Sequence, residues 1–216
     1  MVASRVPETA QTGPHPRLRE VVCRHLECRW QQPLHAYSEP AFAQAAQALA
    51  PHRPIVLDSG CGNARSTARL AARFPDCEVL GIDRSAMRLG RMPPLPSNGH
   101  AVRAELADFW RLARGAGWRL ARHFLLYPNP WPKASQLKRR WHAHPVWPDL
   151  LALGGELELR TNFALYAEEF SLALQYAGFS SDIEVLSLTP EQALSPFELK
   201  YLQSGHALYR VVACLT

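Results

Sequence analysis

Cysteine is scarce in this chain, and it is not arranged to pair. Five occur among 216 residues, at positions 23, 28, 61, 77 and 214. An odd number at irregular spacing excludes a disulfide scaffold and points to reduced thiols in a cytoplasmic protein. Cys23 and Cys28 have the spacing of half a metal site. No second pair and no His-x-x-x-His follows, so no metal is expected. No apolar stretch reaches the roughly 18 residues a membrane helix needs, which argues against a membrane partner. The opening residues MVASRVPETAQTGPHP are polar and proline-bearing, without the apolar segment of a signal peptide. They read as a flexible tail over residues 1–16. Repeats, low-complexity tracts and long linkers are also missing, so residues 17–216 are expected to form one domain.

What is present is an ordinary globular composition, 47% apolar, with a net charge of +5. The length suits a single substantial core. The charge favours a polyanionic partner, chiefly nucleic acid. Residues 17–50 look helical, ended by Pro51 and Pro54. From there strands and helices alternate. PIVLDSG, CEVLGID, HAVRAEL, RHFLLY and ELELRTN read as strands. Helices are expected over 63–74, after Ser85, over 108–114, 146–153 and 163–176. SDIEVLSL and HALYRVVACL read as closing strands. This pattern predicts an α/β fold with a mostly parallel sheet.

In such a sheet ligands sit beyond the carboxyl ends of the strands. The first strand ends in Asp58-Ser59-Gly60-Cys61-Gly62-Asn63, the second in Gly81-Ile82-Asp83-Arg84. Glycines at 60 and 62 allow a tight turn and close approach to a ligand. A dinucleotide site wants G-x-G-x-x-G, but the sixth position is Arg65. An acid, G-x-G, and a second acid at the next strand's end suit S-adenosylmethionine. Asp58 would meet the methionine ammonium, directly or through water, and Asp83 the ribose hydroxyls. Glu105 or Asp108, near the third strand's end, would take the adenine amino group. Asp108 reads equally well as a helix-start acid.

The fourth strand runs into Pro128-Asn129-Pro130-Trp131-Pro132-Lys133. The prolines hold Asn129 at low entropic cost beside the position of a transferable methyl. Lys133, Lys138, Arg139 and Arg140 then form a cationic face suited to phosphate. Cations at a helix start oppose its dipole, so a purely solvated face explains them poorly.

These residues resemble a family. Y-P-N-P-W-P-K-x4-K-R-R, followed by L-x-L-G-G-x-L-x-L-R-T-N-x3-Y, is similar to the tRNA (guanine-N7-)-methyltransferases. Those carry P-D-P-W-x-K, a K-R-R-like tract, L-x-x-G-G and T-D-x3-Y, then T-x-F-E or T-x-Y-E and a glycine. Here the last motif reads Ser195-Pro196-Phe197-Glu198, then Gly205. The resemblance spans residues 54–212 in order. It implies a Rossmann-like class I methyltransferase with a seven-stranded sheet and helices on both faces. The implied product is N7-methylguanosine in tRNA, typically at position 46 of the variable loop, by a monomer or homodimer.

Carried over by motif, Asp58, Gly60, Cys61, Gly62, Asp83, Arg84 and Glu105 or Asp108 hold the cofactor. Asn129 stands at the catalytic position. Lys133, Lys138, Arg139, Arg140, Thr161, Asn162, Ser195, Phe197 and Glu198 contact the substrate. The departures are concentrated at the guanine end. Two family aspartates are Asn129 and Asn162, the Arg-His before K-R-R is Ser135-Gln136, and the third loop glycine is Ala64. Glu198 is expected to hold the guanine edge in their place. Two other outcomes compete: a changed acceptor such as an exocyclic amine, and a relative that binds RNA without turnover.

Overall fold

The computed structural model describes residues 4–215. Two N-terminal helices, α1 (Leu18–Glu27) and α2 (Ser38–Ala48), precede the alternating part. There follow β1 (Ile55–Ser59), α3 (Arg65–Arg73), β2 (Glu78–Asp83), α4 (Ala86–Leu89), β3 (Gly99–Arg103), α5 (Leu106–Gly115) and β4 (Arg122–Leu126). After two 3-10 turns over 134–143 come α6 (Trp147–Leu151), β5 (Glu156–Thr161), α7 (Ala164–Tyr176), β6 (Asp182–Val185), α8 (Pro196–Gln203) and β7 (Tyr209–Cys214). The strands make one sheet in the order β3-β2-β1-β4-β5-β7-β6. β1 to β5 are parallel. β7 runs antiparallel to both of its neighbours.

Successive residues of the central strands feed opposite cores, as the two-residue period of a strand requires. Val56, Val79 and Phe124 pack with Leu70 and Ala71 of α3. Leu57, Leu80 and Leu125 pack with Phe109 and Trp110 of α5, Trp147 of α6 and Phe170 of α7. Burial on both faces is why these strands read as continuous apolar runs. Each buried Leu, Val or Phe side chain contributes about 1.5–3 kcal/mol.

The continuous helical region expected over 17–50 is interrupted. Residues 28–37 form a loop between α1 and α2. Pro33 cannot donate an intrahelical bond, and the Asp108 carboxylate takes the backbone N–H of His35 at 2.9 Å. Helix α8 was not anticipated. Ser195 caps it, accepting from the Glu198 N–H at 3.1 Å, with Pro196 in its first turn. Gly154 and Gly155 do end the α6 region, both with positive φ. A Cβ on Gly155 would lie 2.3 Å from the Leu120 carbonyl oxygen.

The N-terminal segment, expected to be a tail over residues 1–16, is described from residue 4. From residue 4 onward it is bonded to the body. The Ser4 N–H donates to Ser204 Oγ at 3.1 Å, and Thr9 Oγ1 donates to the Pro132 carbonyl at 2.7 Å. The His15 N–H donates to Glu169 at 2.9 Å.

Candidate active site

The carboxyl ends of β1, β2 and β4 surround a cavity of about 620 Å³, within the range for small-molecule sites. Its floor is the turn after β1. Gly60 and Gly62 have φ of +85° and +62°, and the N–H groups of Gly60 and Cys61 both donate to the Ile82 carbonyl. The turn therefore lies against β2. A Cβ on Gly81 would fall 2.2 Å from Thr67 Oγ1 and 3.0 Å from the Cys61 sulfur. Ala64, in the third-glycine position, keeps a left-handed φ of +56°. For a residue with a Cβ that conformation costs about 1 kcal/mol. Burial, with Asp58 and Asp83 nearby, pushes the Cys61 thiol well above its ordinary value.

Three carboxylates face this region differently. Asp83 lines the cavity, and its oxygens accept from the N–H groups of Gly62 (3.0 Å) and Ser85 (2.8 Å). Arg88, which the motifs did not single out, lies 3.4 Å from Asp83 at the same wall. Glu105 also lines the cavity and accepts from the Tyr37 hydroxyl at 3.0 Å. Asp58 is buried beneath the turn. Its Oδ2 accepts from Ser66 (2.6 Å) and Thr67 (2.7 Å), while Oδ1 is buried with no partner among the described residues. Burial raises its carboxyl from 3.8 to about 6, against the two hydroxyls and with help from Asp83. A buried carboxylate oxygen without a donor suits a cationic ligand group, so these residues fit the methionine end, ribose and adenine of S-adenosylmethionine.

The opposite wall is the turn after β4. Asn129 is exposed, lines the cavity and makes no hydrogen bond among the described residues. Tyr127 and Trp131 flank the Pro-Asn-Pro segment with φ of +54° and +43°. Left-handed backbone at bulky residues costs about 1–3 kcal/mol each, and it persists only where the surroundings hold it. Arg139 stacks on Trp131 at 4.8 Å, and Lys138 and Arg139 both line the cavity. Asn162 lies across from them, its amide 3.0 Å from the His206 ring. Phe197, 47% exposed, borders both this cavity and a smaller hollow of about 220 Å³ at Cys61, Gly62 and Ser195.

No family model matches the chain. Individual relatives do. A tRNA (guanine-N(7)-)-methyltransferase of Alkalilimnicola ehrlichii is 30% identical over 210 residues, 86% of this chain and 83% of that one. The enzyme of the same name from Halorhodospira halophila is 31% identical over 180 residues, 74% of each chain. The chain belongs to the tRNA (guanine-N(7)-)-methyltransferase family. In fold it is similar to the 16S rRNA methyltransferase KamB, with a TM-score of 0.58, 16% identity, and coverage of 86% and 97% of the two chains. An antibiotic-related methyltransferase superposes with a TM-score of 0.56 at 16% identity.

Within the family pattern, several expected contacts are turned elsewhere. Asp108 is buried and accepts from the backbone and ring of His35, the latter at 2.8 Å, so of the two candidate acids only Glu105 borders the cavity. Thr161 is buried, and its hydroxyl accepts from the Phe163 N–H at the start of α7. Lys133 is exposed but outside the cavity lining. Arg140 was expected to meet phosphate. It is fully buried, paired with Glu169 and bonded to the Trp131 carbonyl. Glu198 was expected to hold the guanine edge. It too is fully buried, accepting from Arg160 Nη1 at 3.1 Å and from the Tyr127 hydroxyl at 2.8 Å. Gly60, Cys61, Gly62, Asp83, Arg84, Glu105, Asn129, Lys138, Arg139, Asn162, Ser195 and Phe197 are brought together around the two hollows; Asp58 lies buried beneath the turn and lines neither.

Proposed function

We infer that this protein transfers the methyl group of S-adenosylmethionine to N7 of a guanine in tRNA, with the variable-loop guanine as acceptor. Family membership across most of the chain carries this reading. The arrangement of Asp58, Gly60, Gly62, Asp83 and Glu105 beside Asn129 supports it. When bound, S-adenosylmethionine supplies an electrophilic methyl on a sulfonium.

Asp83 and Glu105 hold the adenosyl end, and Asp58 the ammonium. The Pro-Asn-Pro turn holds Asn129 at the other side, where its amide oxygen accepts from the N–H edge of the guanine. Guanine N7 carries a lone pair and no proton at neutral pH. The step therefore needs placement and exclusion of water rather than a general base. This suits a site whose acceptor end carries amides. Glu198, tied to Arg160, supplies no free charge there. Lys138 and Arg139 hold RNA phosphate at the cavity mouth. The protein acts in the cytoplasm, and no described helix is long and apolar enough to cross a membrane.

A second reading is favoured by one observation. An asparagine between prolines with no partner among the described residues also suits an exocyclic amine acceptor. Tests with tRNA transcripts made with guanosine or 7-deazaguanosine separate the two. Transfer to the first and none to the second supports N7. Equal transfer to both moves the acceptor to an exocyclic nitrogen.

A further inference from the structure

The turn that presents Asn129 is held from both ends. Residues 128, 130 and 132 are prolines, so their φ angles are fixed by the ring. The direction in which Asn129 points is then set by the outer residues, Tyr127 and Trp131. Both are left-handed, and neither is glycine. Each is gripped by a different buried ionic network.

On the Tyr127 side, the backbone N–H donates to the Arg160 carbonyl at 2.7 Å and the phenol donates to Glu198 at 2.8 Å. Glu198 in turn receives Arg160 Nη1 on both oxygens at 3.1 Å, and Arg160 Nε donates to Glu158 at 2.6 Å. Burial and the Glu198 carboxylate push the Tyr127 phenol up, so it stays a donor. On the Trp131 side, Arg140 donates to the Trp131 carbonyl from Nε and Nη2, both at 3.1 Å. Its Nη1 pairs with Glu169, and Nη2 also donates to Gln11 Oε1 at 2.7 Å. His142 reaches Glu169 at 3.1 Å. The N-terminal segment closes this second network through Gln11, His15 and Thr9.

We propose that Arg140 and Glu198 are positioning residues, which fix the acceptor turn through Trp131 and Tyr127 rather than touching phosphate or guanine. The proposal rests on the methyl-transfer reading above. Neither charged group can reach solvent without unpacking, since both are 0% exposed. An arginine suits position 140 because one planar fork meets a carbonyl, a carboxylate and an amide together. Lysine keeps the charge but cannot span those three acceptors.

Three variants test this: Arg140→Lys, Gln11→Ala and Tyr127→Phe. Lys138→Ala serves as the phosphate-contact comparison. Hydrogen exchange is followed in the free protein at the bonded amides of the turn, that of residue 127, which donates to the Arg160 carbonyl, and that of Lys133, which donates to Gln136. Cofactor Kd, kcat and the salt dependence of tRNA binding are measured alongside. The three variants should speed exchange at the turn and lower kcat roughly ten- to a hundredfold, the cost of slight misplacement. Cofactor Kd and the salt slope should hold. Lys138→Ala should lower the salt slope and leave exchange at the turn unchanged. Unchanged exchange and kcat in Arg140→Lys, or a lowered salt slope in that variant with exchange unchanged, would overturn the proposal. Should an Arg140 variant fail to fold, unchanged exchange and kcat in both Gln11→Ala and Tyr127→Phe overturn it equally. A wild-type protein without methyl transfer would refute the enzyme reading instead, and the exchange rates would still decide whether the turn is clamped.

Discussion

Protonation of Asp58 should control cofactor binding. Its carboxyl is buried, raised from 3.8 to about 6, and has one oxygen without a donor among the described residues. Between those two values the folded protein holds a proton that the unfolded chain does not. Asp58's contribution to stability therefore falls as pH rises from about 4 to 6. Above that it costs about 3 kcal/mol, from about 1.36 kcal/mol per tenfold change in acidity. A bound ammonium would relieve the cost by pairing with the ionised form. Binding should then demand ionised Asp58. With a midpoint near 6, about 90% is ionised at pH 7 and about 10% at pH 5, so cofactor Kd should weaken about tenfold between them. Calorimetry in buffers of different ionisation enthalpy gives a second readout. Binding should release about half a proton at pH 6 and about a tenth at pH 7. Asp58→Asn should flatten both. A wild-type protein with a flat profile over pH 5–7 and no proton release at pH 6 would refute the reasoning.

Replacing Lys138 and Arg139 together by alanine should reduce the salt slope of tRNA binding by about 1.4–1.8, at roughly 0.7–0.9 per phosphate contact; an unchanged slope removes both from the interface. Asn129→Asp puts a charged acceptor where the family has one. A charge-assisted bond is about twice as strong, so kcat/KM on tRNA should rise by up to about tenfold; a fall contradicts the placement of Asn129 against the guanine N–H edge. Gly155→Ala would place a methyl 2.3 Å from the Leu120 carbonyl at φ +78°. Thermal unfolding should show a loss of at least about 1–3 kcal/mol, and an unchanged Tm would mean the backbone accommodates the group.

Much of the fold was legible because both faces of the sheet are buried. Runs such as PIVLDSG and RHFLLY carry apolar residues for two cores. The glycine turn and the acids beside the cavity were legible because they sit directly at strand ends, as at Asp58 and Asp83. The acceptor end was less so. Nothing in Lys138-Arg139-Arg140 says which cation turns inward; a 3-10 turn and a partner at Glu169, far along the chain, decide it. Glu198 is diverted by Arg160 in the same way. Thr161, expected to contact substrate, accepts instead from local backbone, and Asp108, expected to be either a ligand or a helix-start acid, sits in the first turn of α5 and accepts from His35. The left-handed backbone at Tyr127 and Trp131 had no glycine to announce it. The polar N-terminal segment gave no signal of its partners, and its hydrogen bonds to Ser204, Pro132 and Glu169 join residues far apart in the chain.

The most direct measurement is transfer from labelled S-adenosylmethionine to unmodified tRNA, read by mass spectrometry of the released nucleosides. N7-methylguanosine as the single labelled product is the expected result, and it would show that Asn129 and Asn162 serve where the family has aspartates. Intact cofactor binding with no labelled nucleoside, or label on another nitrogen, would contradict it.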